Sequence, residues 1–268
     1  MLDWAPELGY DAEKKGVNSM SESLKGKVAV ISAVGSGFAK ATAELFARTD
    51  KVNLVIYDIN EAALKDTVKN CEAAGSKVVS FKADVTKPET SARALKECVD
   101  NFGKVDFLIN YAGGALKVAP IEEMDDEINR RILDLNLTSA IMSCRTFTPQ
   151  FKEQGYGKII NVSSACDRRS WPGWSVYSAA KAGVNAFSKC LYTELRPLGI
   201  CVTLLVPGGS NTGFQAAAAG VNKFEWDENL AVRPEHFADM VYQTCALSRG
   251  GCVSEMLVYG LAQDVSGF

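Results

Sequence analysis

A serine, a tyrosine and a lysine stand in the order Ser164, Tyr177, Lys181 within the run NVSSACDRRSWPGWSVYSAAK, residues 161–181. A tyrosine and a lysine four residues apart share one face of a helix, so their side chains can meet. A free phenol titrates near ~10 and exchanges protons poorly at neutral pH, whereas a neighbouring ammonium favours the phenolate and draws that pKa toward the working range. Ser164, at the end of a β-branched run, is placed to hydrogen-bond a substrate oxygen and hold it against the phenol. Tyr10 and Lys14 have the same spacing but neither a strand nor a serine before them, so the context carries the signal rather than the pair. The one histidine, His236, excludes a histidine-dependent triad or a multi-histidine metal site, and in RPEHFADM it reads as an ordinary helix residue.

The elements that must position these groups follow from periodicity. Short β-branched runs, KVAVIS (27–32), VNLVIY (52–57), KVVSFKA (77–83), VDFLIN (105–110), KIINVS (158–163), ICVTLLV (200–206) and EMLVYG (255–260), alternate with longer segments of helical period. Nearly continuous apolar strands separated by helices predict a parallel sheet covered on both faces, here an α/β, doubly wound, seven-stranded Rossmann fold in a single domain with right-handed crossovers. Two segments break the rhythm. Residues 1–24, with Trp4, Leu8 and Tyr10, form an N-terminal extension to a domain of residues 25–268, and residues 208–232 carry Phe214, Phe224 and Trp226 beyond a strand's C-terminal end, where a substrate lid is expected.

The first strand is followed by SAVGSGFAKATAELFA, with Gly35 and Gly37 available for a tight turn and for close approach to a pyrophosphate at a helix N-terminus. The second strand ends in YDIN. Asp58 there is placed to accept hydrogen bonds from ribose hydroxyls and to repel a 2′-phosphate, and no Arg or Lys stands in the loop before Gly37 or directly after Asp58, so NAD(H) is expected over NADP(H).

With these residues in order, the chain resembles a short-chain dehydrogenase/reductase of the single-domain branch over roughly residues 25–260. The resemblance implies a catalytic set of Asn136, Ser164, Tyr177 and Lys181. For the cofactor it implies a glycine-rich turn over Ser32, Gly35, Ser36, Gly37 and Phe38, then Asp58 with Ile59, and an acidic adenine contact at Asp84-Val85. It further implies Asn110, Ala112 and Gly113 after the fourth strand, Pro207-Gly208 after the sixth, and Thr212 toward the nicotinamide carboxamide, with Tyr177 and Lys181 also touching the cofactor. The chain departs from the family pattern at Ala33 and Ala39, where glycines are usual, and at Tyr111, where a second asparagine is usual close to the cofactor; its C-terminal strand lacks the usual Asp-Gly-Gly.

The implied chemistry is hydride transfer between nicotinamide and a ketone or secondary alcohol. Tyr177 serves as acid, Ser164 as orienting group, Lys181 as ribose ligand and pKa modulator, and Asn136 as holder of a relay water. Ala165, Cys166, Trp171, Pro172 and Trp174, with the aromatic lid, predict an apolar small-molecule substrate; within the family this is most similar to a hydroxysteroid dehydrogenase, at a side-chain C20 ketone. A 3-oxoacyl thioester reductase and a non-catalytic NAD-binding scaffold are the alternatives. Between Ser175 and Ser188 the only charge is Lys181, so that helix needs cover on more than its sheet face; the family usually forms homotetramers through it and the preceding helix, around 126–153.

Composition bounds the rest. Apolar residues at 47%, charged residues at 23% and a net charge of −3 are ordinary globular values with no basic clustering, so no nucleic-acid partner is expected. The pair Arg168-Arg169 reads as a solvated loop. Eight cysteines lack C-x-x-C pairing and read as reduced, no bound metal is expected, and the absence of a leader-like or membrane-length apolar run points to the cytoplasm.

Overall fold

A computed structural model describes residues 21–210, 212, 214, 218 and 231–261. Residues 1–20 and most of the expected lid, including Phe224 and Trp226, lie outside the described residues. Seven strands form one parallel sheet: β1 (Val28–Ser32), β2 (Asn53–Asp58), β3 (Val78–Lys82), β4 (Phe107–Asn110), β5 (Gly157–Val162), β6 (Ile200–Pro207) and β7 (Glu255–Val258), in the order β3-β2-β1-β4-β5-β6-β7. The helices between them are α1 (Gly37–Asp50), α2 (Glu61–Ala73), α3 (Pro88–Phe102), α4 (Asp126–Leu133), α5 (Ser139–Gln154), α6 (Ser175–Leu195) and α7 (Pro234–Ala246).

The twofold alternation of strand side chains sorts the core into two layers. Ala29, Ile31, Leu54, Ile56, Phe107 and Ile109 face α1, α2 and α7 through Ala43, Phe46, Leu64, Phe237 and Val241. Val28, Val30, Val55, Leu108 and Ile159 face α3, α5 and α6 through Ala94, Phe147, Phe151 and Leu191. Burial on both faces is why β1, β4 and β5 are buried at every position and apolar or small except at Asn110, Lys158 and Asn161, whereas the edge strands β3 and β7 are half-exposed. The chain runs outward from β1 to β3 and returns with β4 beside β1, which leaves a switch point between their C-terminal ends.

The opposite, N-terminal edge of the sheet is tied down by charge. Asp106 accepts from the Val28 amide (2.8 Å) and pairs with Lys104 (2.9 Å). Lys158, the second residue of β5, is buried and donates to the carbonyls of Thr244, Cys245 and Leu247, so a strand lysine serves as the cap of α7. Asp50 at the end of α1 collects the Leu24 amide (2.6 Å), the Ser23 hydroxyl (3.0 Å) and the Tyr242 hydroxyl (2.8 Å). Leu24 is in the core, and Ser21 and Glu22 run against Ala246 and Leu247. Packed structure therefore begins before Lys25.

Two expectations change here. The stretch 126–153 is α4 and α5 joined by a π-helical turn over Asp134–Thr138, with one extra residue in the turn. The cysteines are not all reduced: Cys201 in β6 and Cys252 before β7 are joined by a disulfide, while six remain free. Adjacent parallel strands bring their Cα atoms to 5.6 Å, within bridging reach, although the two are 51 residues apart in sequence.

The three Lys158 bonds predict that Lys158→Met lowers stability by about 2–3 kcal/mol, because the α7 carbonyls lose their buried partner. Equilibrium denaturation checks this; an unchanged or higher midpoint would mean that burying the ammonium costs more than its bonds return.

Candidate active site

The β1–α1 turn forms the first wall. Ser32 Oγ accepts from the amides of Tyr111 (3.0 Å) and Ala112 (3.4 Å), which fixes the start of the β4 loop beside the turn. Ala33 occupies the left-handed region at φ 59°, so the missing family glycine leaves an alanine in a conformation that favours glycine. Gly37, at φ 57°, opens α1 and lies against Thr212, whose Cγ2 would be 3.4 Å from any added Cβ. Ser36 makes no side-chain capping bond and the first turn of α1 holds no acidic residue, so its amides remain available to an anion. Asp58 accepts from the Gly35 amide (2.8 Å) and the Asn60 amide (2.7 Å), and a Cβ on Gly35 would lie only 3.0 Å from its Oδ2. Beside it Ile59 is exposed. Asp84 accepts from the Thr86 amide and hydroxyl (2.9 and 2.8 Å) above a half-buried Val85. Gly208 donates to Val258 (2.8 Å), which sets the exit of β6 after Pro207. These features fit a dinucleotide: a glycine cradle, an open helix N-terminus and a carboxylate at the tip of β2.

Three of the expected contacts point elsewhere. Tyr111, expected beside the cofactor, turns between α1 and α7, bonding Thr42 at 2.6 Å and packing on Phe237. Phe38 stacks on the same Phe237 at 4.4 Å. Asn110 uses its amide inside the sheet, donating to Asn161 (2.8 Å), which in turn donates to Ser188 of α6 (3.0 Å).

The catalytic candidates converge at the ends of β4 and β5. Tyr177 and Lys181 lie one turn apart on the inner face of α6, both buried, with Lys181 Nζ 5.8 Å from the Tyr177 ring centroid. Lys181 Nζ donates to the Val162 carbonyl (3.0 Å). The π-helical turn presents Asn136, which accepts from the Gly114 amide (3.0 Å) and donates to the carbonyls of Gly114 and Ile132 (both 2.8 Å). Gly113 is required by this closeness: a Cβ there would lie 2.8 Å from Asn136 Oδ1 and 3.0 Å from Lys181 Nζ. Ser164 accepts from the Cys166 amide (3.3 Å), capping the short 3-10 turn Ala165–Asp167, and lies on the Tyr177 side of it.

Burial dominates the electrostatics. It carries the Lys181 ammonium down to about 8, with Cys166 and Asp167 opposing. It pushes the Tyr177 phenol above its ordinary range, with the Cys166 thiol next and the Ser164 hydroxyl acting against. The expected lowering of the phenol by Lys181 is therefore not what governs Tyr177; desolvation does, and the group of the pair that titrates near neutrality is the lysine. A phenol that keeps its proton and a lysine poised to exchange one suit donation to a developing oxyanion.

The surrounding wall is apolar. Ala115, Ile132 and Ala218 pack with Tyr177, flanked by Leu116, Met124, Ile128, Cys166 and Phe214. Trp174 meets Tyr177 edge-on at 5.6 Å and stacks with Phe214 at 6.3 Å, so one lid residue lies over the tyrosine. Trp171 is 40% exposed. The contribution of the β4 loop and α4 was not readable from the sequence, because no periodicity marks which loop side chains turn inward. Arg168, expected in a solvated loop, instead pairs with the buried Asp167 (2.7 Å) and with Glu255.

A parallel sheet with a dinucleotide cradle at its switch point and a Ser-Tyr-Lys site beside it defines an oxidoreductase class. The model for "short chain dehydrogenase" matches residues 27–221, and the chain belongs to that family. It is 34% identical over 187 residues to a diacetyl reductase [(S)-acetoin forming] of Staphylococcus epidermidis, covering 69% of this chain and 72% of that one. It is 33% identical over 199 residues to 3beta-hydroxysteroid dehydrogenase 1 of Eggerthella lenta, covering 74% and 76%. Among solved structures, 3-ketoacyl-(acyl-carrier-protein) reductase from Brucella melitensis complexed with NADH superposes with a TM-score of 0.80 at 28% identity, covering 89% of this chain and 98% of that one.

The left-handed alanine predicts that Ala33→Gly raises stability by about 1 kcal/mol, since relief of the Cβ clash outweighs the added unfolded-state entropy. A lower melting temperature would refute the strain at this turn.

Proposed function

We propose that this oxidoreductase uses NAD(H) to interconvert an apolar ketone and its secondary alcohol, with a hydroxysteroid, carbonyl at the C20 side-chain position, as the substrate class. The observation that carries the reading is the convergence of Ser164, Tyr177 and Lys181 beneath Trp174 and Phe214. The Eggerthella hydroxysteroid dehydrogenase supports the substrate class. Asp58, with no cation in the turn before it, supports NADH over NADPH, because a 2′-phosphate would meet its carboxylate.

In this reading the bound dinucleotide supplies the hydride, and the chain supplies everything else. Gly35, Ser36, Gly37 and the first amides of α1 would hold the pyrophosphate, with Asp58 and Ile59 serving the adenosine and Asp84-Val85 the base. Ala112, Gly113, Pro207-Gly208 and Thr212 would hold the nicotinamide end. Ser164 donates to the carbonyl oxygen and Tyr177 gives its proton to that oxygen as charge develops. Lys181, buried yet protonated below about pH 8, stabilises the phenolate left behind, and Asn136 holds the adjoining main chain. The apolar wall excludes water from this exchange.

A 3-oxoacyl thioester is the second substrate candidate, favoured by the 28%-identical ketoacyl reductase. NADH oxidation in the presence of steroids, acyl thioesters and small diketones decides between them; the steroids are expected to give the highest kcat/KM, and a preference for the thioester reverses the assignment. Tyr177→Phe is expected to lower kcat about 10³-fold while NADH still binds. Turnover within tenfold of wild type would remove Tyr177 from the mechanism, and NADPH preferred over NADH would leave Asp58 only its loop-holding role.

The proposed assembly is a homotetramer in the cytoplasm. Ala179, Ala182 and Ala186 form an exposed stripe of small residues on α6, and Ile141 of α5 is also exposed, surfaces suited to close helix packing. The six free thiols fit a reducing compartment, with Cys201–Cys252 as the exception. Sedimentation is expected to give four copies, and Ala186→Arg to give smaller species; a monomeric wild type would dismiss the tetramer.

A further inference from the structure

Asp167 stands out among the groups that the mechanism above leaves unused. Its carboxylate is wholly buried, on the 3-10 turn directly after Ser164. Oδ2 accepts from Ser163 Oγ (2.8 Å) and from Asn185 Nδ2 (2.9 Å), while Oδ1 accepts from Arg168 Nε (2.7 Å). Ser163 Oγ is also 3.1 Å from the Lys181 carbonyl, and Asn185 lies one helical turn beyond Lys181. Arg168 continues to Glu255 at the start of β7, and Lys189 of α6 lies 3.6 Å from the same carboxylate. Burying a carboxylate is unfavourable unless it is paired, and an uncharged residue would close so short a turn equally well.

We propose that Asp167 is a positioning residue for the proton-transfer pair. It binds the serine turn to α6 and sets a negative charge beside Lys181 and Tyr177, and Arg168, held by Glu255, governs how much of that charge they feel. The inference rests on the reading of Tyr177 and Lys181 as the acid pair. Asp167 favours the protonated form of both groups, so its effect on the pair has one sign. Among the described residues, the other groups around them are few. Cys166 faces both from the same turn and carries a neutral thiol because burial raises it. Arg169 and Tyr259 lie toward the Arg168–Glu255 side, and Lys189 and Glu255 complete that side from α6 and β7.

The test is the pH dependence of ketone reduction, whose alkaline limb reports loss of the donated proton. Asp167→Asn removes the charge; its limb is expected to move to lower pH, with kcat reduced about tenfold as the turn loosens. Arg168→Gln leaves the carboxylate less screened, and its limb is expected to move to higher pH. Opposite displacements establish the charge effect, which a merely structural contact would not produce. Loss of rate with both limbs unmoved, or limbs moving the same way, overturns the proposal. If Asp167→Asn does not fold, the Arg168→Gln limb decides alone, a fixed or lowered limb counting against it. A wild type that reduces no ketone overturns the acid-pair reading itself, and the inference falls with it.

Discussion

An ammonium has to be kept almost out of water for this site to work, and the local structure is arranged around that demand. Lys181 is 3% exposed and its Nζ has the Val162 carbonyl as a main-chain acceptor at the very end of β5. Removing a cation from water is costly unless polar groups replace the solvent. The replacement comes from three directions: a strand end, the β4 loop held by Asn136, and the turn carrying Asp167. Gly113 gives way so that Asn136 and Lys181 can approach, and the π-helical turn advances Asn136 to meet them. Burial in turn brings the lysine's titration down to about 8, where it can follow a proton at physiological pH.

The sheet separates this chemistry from its own stability. Side chains in its middle are apolar on both faces, and the polar load falls at the two edges. At the N-terminal edge Asp106, Lys158 and Asp50 are saturated with partners, fastening β1, α7 and residues 21–24 to one another. At the C-terminal edge, unused capability remains: uncapped amides at the start of α1, a left-handed Ala33, and a tyrosine held under Trp174 and Phe214. The open amides of α1 and the left-handed Ala33 thus lie where a ligand would be received.

The strands were legible because a doubly covered parallel sheet demands long β-branched runs, and all seven lie within a few residues of the runs in the sequence. Ser164, Tyr177 and Lys181 were legible because helix periodicity and a strand end fix their neighbourhood. Other features depend on packing that local pattern does not encode. Nothing in YAGG tells whether the Tyr111 ring turns to a cofactor or to Thr42 and Phe237; the space between α1 and α7 decides. Asn136 in LDLNLTSA is singled out by the family resemblance and not by helical period, and the extra residue of the turn that presents it has no mark in the sequence. Arg168 reads as part of a solvated loop because its partner Glu255 is 87 residues away. A separation of 51 residues likewise hid the Cys201–Cys252 bridge.

The most direct test of the account is the titration of Lys181 itself. Lysine side chains labelled at Cε with carbon-13 report protonation by chemical shift, and Lys181 can be assigned by its absence in Lys181→Met. A midpoint near pH 8, well below that of the exposed lysines, is the predicted result. A midpoint at ~10.4, the value of a solvated lysine, would contradict it, because burial would then not be what prepares this pair for proton transfer.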